Sequence, residues 1–290
     1  MSSHHPLPLG SVLWAETSSP PVNPDLWRRY QAIVNDSRYR HFTRIPNRIV
    51  RFLDSFQIDF DRDTVLERLL SHYLFIAIVD DAIDSGEEGA AQTVFECFSD
   101  GARRSNEPSR FSDVTIVTEV LKSQTGADNW PPMLHLLRRA HREVIGESTA
   151  TSIGAYIKHR KALGRATAKQ SYLLIRDALK EPNRKLCRLM EEIGAVGCLI
   201  DSVIDVRQDH RTGLLNFDLT AGNYVALCFS TASAGVRVLA KKPSLAFILA
   251  EAMVDNVRDR DRARPNAIPQ AESLCQPIAQ SFHDSVAHRL

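Results

Sequence analysis

The chain has 290 residues, 43% of them hydrophobic and 24% charged, and its 36 Lys plus Arg against 35 Asp plus Glu give a formal net charge of +1. That composition fits an ordinary globular protein and excludes collagen-like, low-complexity and wholly disordered classes. The charge balance excludes a broad electrostatic footprint for nucleic acid or anionic membrane, which needs clustered positive charge, so a charged substrate has to be met locally.

In chain order, residues 1–24 carry Pro6, Pro8, Pro20, Pro21 and Pro24 among Ser and His. Such a stretch buries little apolar surface, and it is expected to be a flexible N-terminal segment ahead of a single domain at 25–290. It also lacks the charged start and apolar run of a secretory signal. No uncharged stretch approaches the ~20 residues of a membrane span, and the longest apolar run, Tyr73 to Val79, reads as a core element. Cys97, Cys187, Cys198, Cys228 and Cys275 are odd in number and form no C-x-x-C pair, so they are expected to be reduced core residues. A cytoplasmic protein with no membrane span and no nucleic-acid partner is expected.

From Asp25 onward the apolar residues recur at helical spacing, and hairpin dipeptides between alternating β-branched runs are absent. Thr64 and Glu67 read as a T-x-x-E capping box that starts a helix near residue 64, ending at Gly86 or Gly89. Gly101 to Ser112 reads as a charged loop. Pro131 and Pro132 open a helix carrying Met133, Leu134, Leu136 and Leu137. Further helices are expected from about Gly154 to Leu179, from Arg184 to about Asp209 with a stop at Gly213, and at Asn223–Leu239, Pro243–Arg262 and Gln270–His288. The fold class is therefore all-α.

The most informative residues are acids. In the run Phe75-Ile-Ala-Ile-Val-Asp-Asp-Ala-Ile-Asp84, Asp80 and Asp84 lie one turn apart on a face that continues Tyr73, Ile76 and Ala77, with Asp81 flanking them. Asp201, Asp205 and Asp209 stand four residues apart in the long helix and fall within an arc of roughly 80°. Inward acids on apolar helices are costly unless cations compensate them; the alternative is a pair of solvated helix ends. Above the second row come Cys198, Gly197 and Gly194, whose small side chains leave room for a pocket, with close helix packing as the other reading. Oxygen-only ligands select a hard ion, Mg²⁺ above all, which bridges carboxylates to a phosphate ligand. The implied substrate is a phosphate or diphosphate ester whose other end is apolar, lying against residues such as Tyr73, Phe75, Ile76 and Leu199.

The D-D-x-x-D at 80–84 resembles the first metal motif of class I isoprenoid (terpene) synthases, and Asp201-Ser-Val-Ile-Asp-Val-Arg-Gln-Asp209 resembles their second. The segment from Gly197 to Gly213 is similar to the squalene and phytoene synthase branch. The motifs stand 117 positions apart, from 84 to 201. Tyr156-Ile-Lys-His-Arg-Lys-Ala-Leu-Gly164 looks like the Y-x-x-x-R-x-x-x-G segment of microbial terpene cyclases, in which the Arg senses diphosphate. This chain differs in having Asp at all three positions of the second motif and in lacking the Gly-Lys-x-x-Arg segment of prenyl elongases.

The resemblance implies a class I helical bundle around a central apolar cavity. It implies three Mg²⁺ ions held by Asp80, Asp81, Asp84, Asp201, Asp205 and Asp209, and a diphosphate clamp of Arg160, Lys161 and Arg211. The cavity residues are Tyr73, Phe75, Ile76, Ala77, Gly194, Gly197, Cys198 and Tyr172. The implied activity is ionisation of a C15–C20 prenyl diphosphate to a terpene, with a homodimer as the assembly. Joining of two prenyl diphosphates by a prenyltransferase is the alternative reaction, and a non-enzymatic helical scaffold is the alternative from another class.

Overall fold

A computed structural model describes residues 23–39, 42–84, 110–247, 249–251 and 254; at 82–84 and 110–112 it describes the backbone only. Its helices begin where short polar side chains can satisfy the first free amides. Helix α1, Pro24–Val34, starts with the Asn23 side chain accepting from the Asp25 amide at 2.8 Å and with Pro24 in the first turn. Helix α2 spans Ile45–Ser55.

Helix α3, Arg62–Asp84, begins two residues before the expected start. Asp61, not Thr64, is the capping acceptor: its carboxylate takes the Thr64 amide at 3.2 Å and the Thr64 hydroxyl at 2.7 Å. Those two bonds hold the Asp61 carboxyl below its ordinary range. Glu67, expected to close the capping box, instead accepts from the Gln124 side chain at 3.0 Å. A carboxylate one residue before the helix competes better for the third amide than a hydroxyl already inside it. The expected end at Gly86 or Gly89 lies outside the described residues.

Helix α4 spans Arg110–Thr125 and buries Val114, Ile116, Val117, Val120 and Leu121. Residues 110–112, expected to close a charged loop, belong to this helix; 101–109 lie outside the described residues. Helix α5, Trp130–Ser148, opens on its two prolines as expected. Helix α6, Ile153–Ile175, is capped by Ser152 and tightens into a 3₁₀ turn at Arg176–Ala178. Helix α7, Arg184–Arg211, starts from an Asn183 cap. It stops where Gly213 takes φ +74°, with Leu214 N donating to Asp209 O and Gly213 N to His210 O. That double closure is a left-handed glycine stop. Helix α8 is Ala221–Lys241. Residues 245–247 and 249–251 are helical, and the expected helix at Gln270–His288 lies outside the described residues.

Among the described residues there is no β-strand, only an isolated bridge between Phe60 and Leu179. Its backbone bonds, Asp61 N to Ala178 O at 3.0 Å and Lys180 N to Asp59 O at 3.1 Å, tie the entry of α3 to the exit of α6. The chain is all-α, as expected. Helix α6 is the hub, packing most extensively on α7 and α5 and reaching α3 and α8. Its crossing with α7 is made at Gly164 and Gly194, where a Cβ built on either glycine would stand 2.2–2.3 Å from the other's carbonyl oxygen. Buried side chains from the helices form one apolar cluster that includes Leu53, Leu69, Leu74, Leu121, Met133, Leu174 and Leu199. No described helix is long and apolar enough to cross a membrane. Cys187, Cys198 and Cys228 are free and partly buried, while Cys97 and Cys275 lie outside the described residues.

Candidate functional site

Both acidic helices place charge within electrostatic reach of Cys198. This thiol sits on α7, and burial, opposed by the Arg160 charge, pushes it up to about 11, with Asp201, Glu147 and Asp80 acting in the same direction as burial. Asp80 from α3 and Asp201 from α7 thus act on one sulfur. Tyr73, two turns before Asp80 on the same face of α3, points to the same place. Its hydroxyl shares a hydrogen bond with Ser171 of α6 at 3.3 Å and interacts with Cys198, and burial raises its phenol to about 12.

Arg160 is the best-anchored side chain of the site. Its Nε donates to Ser202 Oγ at 2.7 Å, Nη2 to the Cys198 carbonyl at 3.2 Å, and Nη1 to both oxygens of Glu147 at 3.1 and 3.2 Å. Burial works against its charge, but Glu147, followed by Cys198, Tyr156 and Asp201, more than offsets this, so the net direction is upward. Burial in turn pushes the Glu147 carboxyl up, opposed by Arg160 and His159. Tyr156, one turn before Arg160, is fully buried with its ring 5.6 Å from that of Phe217. Burial raises its phenol to about 12, and Asp209 is among the charges that act on it. Asp209, at the lower end of the α7 row, thus also acts on α6.

The other expected residues divide. Asp80 is exposed, while Asp81, Asp201, Asp205 and Asp209 are half-buried, and each of the five has polar or electrostatic partners. Asp81 acts on Tyr39, beside Arg38, Asp36 and Asp113, and so serves another side of α3 than Asp80. The side chain of Asp84 lies outside the described residues. Phe75 and Ala77 are buried in the core, as is Leu199, and Ile76 is half-buried against it.

Three of the expected residues lie apart from this group. Lys161 does not join Arg160: one position on, it has turned toward α8 and donates to Ser230 Oγ at 2.6 Å. Burial there, with Arg237 and Arg165 nearby, lowers its ammonium below the ordinary range. Gly194 does not line a cavity, because the α6 backbone occupies the space its missing side chain leaves; Gly197, by contrast, has no atom within 4 Å of where a Cβ would be. Tyr172 lies on another side of α6, where its hydroxyl donates to the Asn183 carbonyl at 3.3 Å and its ring lines a groove of about 320 Å³ with Pro132, Leu136, Lys169 and Arg176. Arg211 is exposed in the last turn of α7.

Carboxylate oxygens on facing helices are suitable donors for a hard divalent cation. Among the described residues, however, no three His, Cys, Asp or Glu side chains come together closely enough to hold a metal ion. Any ion here would be completed by ligand oxygens and water, as Mg²⁺ commonly is.

Glu147 and Ser202 were missed by the sequence reading. Ser202 follows Asp201 directly and is 2% exposed, so the Asp201 spacing already marks its neighbourhood. Glu147 lies in Ile145-Gly-Glu-Ser148 and no sequence spacing joins it to Arg160. Comparison with protein-family models, curated proteins and solved structures finds no significant match to this chain.

Proposed function

We propose that this chain is a Mg²⁺-dependent class I terpene synthase that abstracts diphosphate from a C15–C20 prenyl diphosphate. The observation that supports this most is that Asp80 and Asp201, from separate helices, both act electrostatically on Cys198, whose carbonyl accepts from the buried guanidinium of Arg160. Asp201 acts on that guanidinium as well as on the thiol, so one acid of the second row lies within reach of the buried cation. Mg²⁺, bound through Asp80, Asp84, Asp201, Asp205 and Asp209, would supply the charge that neutralises a departing diphosphate.

The chain's own groups do the rest. Arg160 is held by two neutral acceptors at a fixed orientation, so its positive charge is preorganised for negative charge that grows as the C–O bond breaks. Tyr73 presents an aromatic ring at the junction of α3, α6 and α7, where it can stabilise an allylic cation. Buried apolar residues of α7 such as Leu199 and Ile200 would help to keep water from quenching that cation.

The test is incubation of the full chain with geranyl, farnesyl and geranylgeranyl diphosphate, with and without Mg²⁺ and isopentenyl diphosphate. Mg²⁺-dependent diphosphate release with a hydrocarbon or alcohol product from one prenyl diphosphate is expected, and Asp80→Ala and Asp205→Ala are expected to lose it while remaining folded. Undiminished release in both variants would sink the proposal. A product formed only when isopentenyl diphosphate is present would assign a prenyltransferase instead.

A further inference from the structure

The partners of Arg160 are of two kinds. Ser202 Oγ and the Cys198 carbonyl are neutral and belong to α7, whereas Glu147 is an anion contributed by α5. A guanidinium buried among three helices needs a counter-charge, and Glu147 supplies it through both carboxylate oxygens on one nitrogen, Nη1. The neutral bonds would hold the side chain in place if the carboxylate left. We propose that Glu147 is a resident stand-in for the anionic ligand: it occupies Arg160 while the site is empty, an incoming phosphate group displaces it, and the freed carboxylate takes a proton from solvent. Glu147 is thus a positioning residue whose release couples ligand capture to proton uptake. This inference rests on the proposed reading only in requiring that an anion reach Arg160.

The surroundings of Glu147 favour this exchange. Its side chain is 18% exposed, so without Arg160 it would be a nearly desolvated anion. The other charged or titratable groups acting in this neighbourhood include His159 and Tyr156 on α6 and Cys198, Asp201 and Asp209 on α7. His159 is already engaged: its Nδ1 is 2.9 Å from Glu143, and its ring fills the space over Gly146. Tyr156 and Cys198 are acids raised by burial and offer no positive charge. Among the described residues, the other cation acting on Glu147 is His159, which is held by Glu143, so protonation is the cheapest way to keep the carboxylate inside once Arg160 turns to a ligand.

Calorimetric titration of the full chain with inorganic pyrophosphate and Mg²⁺ tests this, comparing the natural protein with Glu147→Gln in buffers of differing ionisation enthalpy. The amide keeps the size and one acceptor but removes the competing charge. At mildly alkaline pH the variant is expected to bind about tenfold more tightly or better, the factor given by one charge-assisted contact. As pH falls the natural protein should gain affinity relative to the variant, because protonation opens the pair, and only the natural protein should take up a proton on binding. Measurable binding by the variant alone also supports the inference. Equal or weaker binding by the variant, with no difference in proton uptake, overturns the stand-in role and leaves the proposed reaction untouched. No binding by either protein overturns both. If Glu147→Gln does not fold, proton uptake and pH dependence in the natural protein decide alone: binding without proton uptake refutes the proposal.

Discussion

At the residue scale, one position along a helix separates two basic side chains by about 100° and gives them different fates. Arg160 turns into the junction of α5, α6 and α7, and Lys161 turns to Ser230 on α8. Replacing Arg160 by Leu should therefore cost about 3–5 kcal/mol in denaturant unfolding, because Glu147 is left buried without its counter-charge. It should also abolish turnover. Lys161→Met should leave turnover unchanged, and a large loss there would return Lys161 to the ligand site. The sequence motif placed Arg160 and Lys161 side by side as donors, and only the direction of each side chain distinguishes them. Similarly, Asp80 and Asp81 are neighbours in the motif but act on Cys198 and on Tyr39 respectively.

At the element scale, the α6–α7 crossing depends on the absence of a side chain. A methyl group at Gly194 would meet the Gly164 carbonyl oxygen at 2.3 Å and the Ala168 methyl at 2.7 Å. Gly194→Ala should exceed the ~1–3 kcal/mol typical of overpacking, since the obstacle is backbone and cannot rotate away. Gly197→Ala should be stabilising by up to ~1 kcal/mol through helix propensity, with nothing to strike. Chemical denaturation of the two variants separates crossing from open space, and comparable losses in both would contradict this geometry. At the start of α3, Asp61→Ala should cost about 1 kcal/mol, the usual worth of a helix cap. Because the folded-state carboxyl is held below its ordinary range, this stabilisation is present above the unfolded-state value and fades as pH falls through the folded one. Thr64→Ala should cost less, since the hydroxyl only supports the Asp61 carboxylate. Helix starts are partly legible in sequence: the prolines of α5 lie where expected, whereas Asp61 caps α3 although Thr64 and Glu67 fit the commoner pattern.

At the scale of the whole molecule, His72 makes global stability depend on pH. It is 0% exposed on α3, neither ring nitrogen makes a well-formed hydrogen bond, and burial lowers its imidazole to about 4, a weak interaction with the Thr167 backbone opposing this only in part. Above about 6.5 both folded and unfolded chains hold it neutral, so its contribution is flat. Between about 6.5 and about 4 only the unfolded chain takes the proton, so stability falls with pH by a total of order 3 kcal/mol. Below that the contribution is flat again. Unfolding measured across this window should show the slope, and His72→Phe should remove it; an unchanged slope would assign it to other groups. The sequence by itself determined the all-α class, the helix stop at Gly213 and the placement of two acidic rows on α3 and α7, because each follows from local capping and a 3.6-residue period. Tertiary structure alone decided that Asp80 and Asp201 both act on Cys198, that Gly194 is a crossing point and Gly197 open, and that Glu147 closes on Arg160. Those outcomes depend on how far apart and at what angle α5, α6 and α7 pack, and no spacing within one helix encodes the side chain that a different helix will bring to it.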